Sequence, residues 1–128
     1  MARKFSFHGR TAEEVKTLTL DEFLKLIPSK VRRTMRRMPM QVRKFIEKFR
    51  DDRKKGKQFK TTIREMVILP EMVDSHVFVY NGNSYVDVFV TPDMLGKRLG
   101  EFSHTTKMVR HSGPGIGATR GSKTVELK

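Results

Sequence analysis

Cysteine is missing from this chain of 128 residues, and with it go disulfides, thiolate chemistry and most structural zinc sites. That composition fits a reducing compartment. Long apolar runs are missing too: no stretch approaches the roughly 18–20 residues that cross a bilayer. The opening MARKFSFHGR lacks the long apolar stretch of a secretory signal, so the cytoplasm is the expected address. Acid is scarce where base is dense. Residues 31–60 hold thirteen Lys and Arg but only three Asp and Glu.

What is present is charge. Twenty-seven basic and fourteen acidic side chains leave a formal net charge of +13, and apolar residues make up 37% of the chain. Such an excess repels itself unless a polyanion neutralises it. Nucleic acid is the commonest such partner and an anionic membrane surface the next. The charge is segregated: residues 1–30 carry +2, 31–60 carry +10, 61–95 carry −4 and 96–128 carry +5. An apolar, slightly acidic middle therefore lies between basic arms. The length suits one small domain with extensions.

Periodicity supplies the elements. Thr19 and Glu22 form a Thr-x-x-Glu capping box, and Leu20, Phe23, Leu24 and Ile27 follow at helical spacing. Pro28 ends that helix or opens the next. Ser29 to Met38 reads as a short basic helix carrying Val31, Met35 and Met38, and Pro39 gives a second break. Val42, Phe45, Ile46 and Phe49 mark an amphipathic helix that Gly56 ends. Thr61 to Leu69 is rich in β-formers and is expected to include a short strand. Pro70-Glu71-Met72 reads as a turn or a single helical turn. Residues 76–80 and 85–90 form two β-branched and aromatic runs joined around Asn81-Gly82, a hairpin signal. Pro92 to Leu95 is expected to begin a short helix continuing toward Leu99. After Phe102 the apolar periodicity stops, and the Gly-rich tail is not expected to fold alone.

The basic cluster is the main functional candidate. It includes Arg32, Arg33, Arg36, Arg37, Arg43, Lys44, Lys48, Arg50, Arg53, Lys54, Lys55, Lys57 and Lys60. Arg32 with Arg36 and Arg33 with Arg37 are like-charge pairs four residues apart, which weaken an isolated helix by a few tenths of a kcal/mol each. A phosphate partner offsets that cost, because Arg grips phosphate oxygens bidentately. A merely solvated face is the plainer alternative. A membrane-surface helix would need a continuous apolar face, which Pro28 and Pro39 interrupt.

The other constellations are weak. The tail around Gly113 to Gly121 lacks the ending of a Walker loop and the strand and helix of a Rossmann loop; Arg110, Arg120 and Lys123 in and beside it suit phosphates instead. His8, His76, His104 and His111 form no ligand cluster. His76 reads as a surface residue, whereas His104 and His111 lie among cations, where base stacking or phosphate contact is open to them. Glu13-Glu14, Asp21-Glu22 and Asp51-Asp52 suit helix-dipole and ion-pair roles, and no serine sits in a nucleophile elbow. No enzyme, metal or cofactor is expected.

Residues 66–102 carry a resemblance. Val67-Ile68-Leu69-Pro70-Glu71-Met72-Val73, Val79-Tyr80-Asn81-Gly82, Val88-Phe89-Val90 and Asp93 to Phe102, with its Leu-Gly-Glu-Phe ending, resemble the small-subunit ribosomal protein S-nineteen family. The tail Pro114 to Thr119 and the helical N-terminal region look like its archaeal and eukaryotic branch. Asp74 stands where the family often has glycine, and Asn83 where a basic residue is common. The resemblance implies a structural constituent in the head of the small ribosomal subunit. There it would bind the 3′ domain of the ribosomal RNA beside ribosomal protein S-thirteen, with tRNA and large-subunit bridge RNA as further partners. It carries RNA contact onto Lys97, Arg98, His104, Lys107 and Arg110, and places Gly115, Gly117, Thr119 and Arg120 near the decoding region.

The expected fold is α+β. A small antiparallel sheet with short helices forms an RNA-binding core over 61–105, preceded by a basic helical extension over 1–60 and followed by a flexible tail over 106–128. The alternative function is an architectural DNA-binding protein, which would share the charge and prefer duplex DNA.

Overall fold

The structure is a computed structural model and describes residues 5–110. Four helices precede a three-stranded sheet: α1 (Ala12–Lys16), α2 (Leu20–Leu26), α3 (Ser29–Arg37), α4 (Pro39–Lys54), β1 (Phe59–Thr61), β2 (His76–Tyr80) and β3 (Tyr85–Phe89). Single 3₁₀ turns occupy Pro70–Met72, Pro92–Met94 and Leu99–Phe102. The fold is α+β, as expected.

The helix boundaries follow local chemistry. Thr19 and Glu22 close the capping box at α2 in both directions. Pro28 precedes α3, and Pro39 occupies the first turn of α4, where its missing N–H costs nothing. Helix α1 was not anticipated. It is short, but Thr11 and Glu14 form a second capping box, so the same Thr-x-x-Glu signal stands eight residues upstream. Its apolar anchor is the fully buried Val15.

The sheet differs from the expected antiparallel arrangement. Strands β2 and β3 pair antiparallel, His76 opposite Phe89 and Tyr80 opposite Tyr85, but β1 runs parallel to β2, Phe59 opposite Val77. A parallel neighbour needs a long crossover, and residues 62–75 supply it. Within that crossover the chain leans on residues 96–100: Ile68 N–H donates to the Lys97 carbonyl at 2.9 Å, Leu99 N–H to Met66 at 2.9 Å and Gly100 N–H to Arg64 at 2.9 Å. The predicted helix from Pro92 stops at Met94 and does not run toward Leu99. Gly96 turns the chain with φ +76°, and a separate 3₁₀ turn starts at Leu99.

One hydrophobic cluster joins helices and sheet. Val15, Phe23, Ile27, Met35, Phe45 and Phe49 from the four helices are buried with Phe59, Val77, Val79, Val88 and Leu99. The boundary expected at residue 60 falls inside β1. Helix α4 seats on β1 through Phe45 and Phe49, which meet the Phe59 ring edge-on at 5.0 and 5.2 Å, a favoured aromatic geometry.

Two positions bear on the resemblance, Gly100 fitting it and Asp74 departing from it. At Gly100 an added Cβ would lie 3.1 Å from both the Cβ and the carbonyl oxygen of Arg64, so the Leu-Gly-Glu-Phe turn packs where only glycine fits without displacement. Asp74 has φ +61°, the left-handed region that favours glycine. Its carboxylate meets Lys16 Nζ at 2.6 Å, joining α1 to the turn before β2.

Candidate nucleic-acid interface

Helix α3 presents the basic cluster by simple periodicity. Met35 is buried and Val31 half-buried, which aims the opposite side outward. Arg33, Arg36 and Arg37 are exposed there, and Arg32 flanks them half-buried. Among the described residues the ion pairs are Lys16–Asp74, Arg43–Glu47, Arg50–Glu71 and His76–Asp87. None of the four α3 arginines takes part. The face is therefore cationic and uncompensated, which suits phosphate oxygens.

Arg98 belongs to the same region. Its guanidinium donates to Thr34 Oγ1 at 3.3 Å, tying α3 to the turn at Leu99, and it lines a cleft of about 380 Å³ with Arg37, Met38 and Glu65. The fold thus brings together Arg37, from the basic cluster, and Arg98, from the family resemblance. Lys97 is exposed and lies 6.0 Å from the Phe102 ring centroid. His104, Lys107 and Arg110 are exposed along a stretch without regular structure. His111 and Arg120, with the rest of residues 111–128 of the tail expected to be flexible, lie outside the described residues.

The second half of the cluster divides. Lys54, Lys55 and Lys57 are exposed at the C-terminal end of α4, where cations also suit the helix dipole. Arg53 is partly committed: it donates to the Glu71 carbonyl at 3.0 Å. Arg50 is a structural clamp, donating Nε and Nη2 to the Glu71 carboxylate at 2.9 and 2.5 Å. That hydrogen bonding holds the Glu71 carboxyl below the usual carboxylate range, against partial burial and helped by the charges of Arg50 and Arg53.

The sign of the resulting pH dependence follows. A carboxyl whose folded pKa is depressed stabilises above its unfolded pKa, and the benefit is lost as pH falls through the folded value. Both side chains are about half exposed, 55% and 44%, so the pair contributes only about 0.5–1 kcal/mol. Glu71→Gln is expected to cost that much at neutral pH. Urea melts of the two proteins should converge as the pH drops below about 4; a gap that persists in acid would mean that the carboxylate charge is not its source.

Sequence reasoning missed two features. Arg64, the lone base between residues 61 and 95, is a hub: it donates to the carbonyls of Tyr80 at 2.6 Å and Gly100 at 2.9 Å, to Ser103 Oγ at 3.1 Å and to the Ser103 carbonyl. Its isolation among acids was the available signal. The other is the outward face of the sheet. Val77 and Val79 are buried, so His76, Phe78 and Tyr80 point away from the core, and opposite them Tyr85 and Phe89 are 44% and 47% exposed. Alternation of valine with aromatics marks this face, but both kinds are apolar and polarity alone does not reveal it.

Among the described residues no three His, Asp or Glu side chains are grouped to hold a metal ion, and no helix is long and apolar enough to cross a membrane. The described residues combine an apolar core, a cationic helical face and an exposed basic segment after the last 3₁₀ turn. The family model described as ribosomal protein S19 matches residues 32–111, a span that opens inside the arginine cluster of α3. The chain is 44% identical over 128 residues to small ribosomal subunit protein uS19 of Thermoplasma volcanium, covering 99% of this chain and 83% of that one. It is 42% identical to the protein of the same description from Picrophilus torridus, with the same coverage. For that of Saccharolobus solfataricus the figure is 42% over 130 residues, covering 98% of this chain and 93% of the relative. The chain belongs to the ribosomal protein S19 family.

Proposed function

We propose that this protein is a structural, non-enzymatic constituent of the small ribosomal subunit. It binds small-subunit ribosomal RNA in the head, in the 3′ domain, beside ribosomal protein S-thirteen. Its C-terminal tail is directed toward the tRNA and decoding region. The observation that carries the reading is the likeness, over nearly the whole chain, to relatives described as small ribosomal subunit proteins. The uncompensated arginines of α3 supply the physics. Each phosphate they neutralise releases counterions, so binding weakens as salt rises, and shape and backbone contacts dominate recognition of folded RNA.

Sedimentation of a native cell extract through a sucrose gradient at high salt tests this. The protein is expected in stoichiometric amount with the small subunit. A position at the top of the gradient, with none in the subunit peak, would overturn the reading and favour the architectural DNA-binding alternative. Cross-linking of the subunit would then test the neighbour: S-thirteen is expected among the partners of this chain.

A further inference from the structure

Among the described residues the outward face of the sheet is left open, with Tyr85 44% and Phe89 47% exposed. In β2 and β3 the inward positions are filled by Val77, Val79, Val86 and Val88, while Phe78, Tyr80, Tyr85 and Phe89 stand on the other side with His76. The aromatic groups are already arranged in pairs. Tyr80 and Tyr85 have ring centroids 5.2 Å apart, and His76 and Phe89 lie 5.0 Å apart. The rings of each pair are tilted by 53° and 51°, and both Tyr85 and Phe89 remain exposed. Asp87, the single acid on this face, is held by His76 Nδ1 at 3.0 Å.

Cations border the aromatics on the β1 side. Lys60 Nζ lies 5.8 Å from the centroid of Tyr85. A cleft of about 210 Å³ brings Lys44, Lys48 and Lys60 together with Tyr85. A second, of about 310 Å³, brings Arg53 and Lys57 together with His76 and Phe78. Both clefts lie against β1, so one brings basic side chains beside Tyr85 and the other beside His76 and Phe78. An apolar protein surface would leave the flanking cations unpaired. An unpaired RNA strand uses both components, since bases stack on any π-face while phosphates seek the flanking cations.

We propose that this face is a stacking platform for unpaired bases, with Tyr85 and Phe89 as its exposed rings and Lys57 and Lys60 receiving the phosphates between them. The platform is distinct from the arginine face of α3 and rests on the reading of the protein as a component of the ribosomal subunit. It binds single-stranded RNA without strong sequence preference, because stacking on an aromatic ring is open to every base.

Ultraviolet cross-linking at 254 nm of the intact small subunit, with adducts mapped by mass spectrometry, tests the platform. Nucleotide adducts are expected on Tyr85 or Phe89, and both rings should be protected from hydroxyl radicals in the subunit relative to the free full chain. In the free chain, the Tyr85→Ser and Phe89→Ser double variant should bind an unpaired 12-nucleotide RNA about tenfold more weakly. Tyr85→Phe should retain affinity, and matching thermal melts will show that the double variant is folded. Adducts confined to α3 and α4, with Tyr85 and Phe89 as accessible in the subunit as in the free chain, would overturn the platform and leave the ribosomal reading standing. Protection accompanied by cross-links to another protein would also overturn it, making the face a protein interface. Absence from the subunit peak would overturn platform and ribosomal reading together.

Discussion

Arg64→Met is expected to lower the unfolding free energy by about 1–3 kcal/mol, the range for leaving buried hydrogen-bond acceptors without their donor. One guanidinium serves four acceptors: the carbonyls of Tyr80, Gly100 and Ser103, and Ser103 Oγ. Ser103 is fully buried, so its oxygens cannot turn to water when the donors vanish. Tyr80 ends β2, while Gly100 and Ser103 belong to the chain beyond β3. Arg64 therefore ties the crossover, the hairpin and the final turn into one unit. Methionine keeps the bulk of the stem, and the loss is electrostatic and not a packing void. Arg64→Lys should recover little, because an ammonium is a compact point donor that cannot reproduce the planar fork. Urea denaturation of the two variants measures this. A loss below about 1 kcal/mol for Arg64→Met would mean that the acceptors find water and that the network is a surface feature.

Arg64 also shows where sequence reading stops. Its charge is visible in the sequence, but its partners lie 16 to 39 positions away, and nothing local announces them. Local signals fared better. The capping box at Thr19, the breaks at Pro28 and Pro39 and the aromatic hairpin runs are effects of neighbouring residues, and all appear in the structure. Helix α1 escaped because five residues offer a single apolar anchor, Val15, too few to make a period. The parallel pairing of β1 escaped because a three-residue strand has no register signal, and its direction is set by a crossover that packs only once the core exists. The α3 arginines were legible as a cluster, since helical spacing places them together whatever the tertiary fold. Their neighbour Arg98 was not, because it reaches Thr34 across 64 residues of sequence.

Replacing Arg32, Arg33, Arg36 and Arg37 together by Gln should separate binding from folding. If each arginine neutralises one phosphate, the slope of log K against log salt becomes shallower by about 3. Extrapolated to 0.1 M salt, that is about a thousandfold loss of affinity for the ribosomal RNA. Stability should move the other way. The substitutions remove two like-charge pairs at i and i+4, each worth a few tenths of a kcal/mol, and leave the inward side of α3, Val31 and Met35, unchanged. A variant that melts slightly higher and binds far more weakly has lost phosphate contacts and not structure. Filter binding across a salt series, with melts on the same samples, makes the distinction. An unchanged slope would mean that the cluster does not touch phosphate, and the RNA contacts would then have to lie with Lys97, Lys107, Arg110 and the sheet. An equal fall in stability and affinity would instead mean that the arginines hold α3 in place, a role for which the observed ion pairs offer no partner.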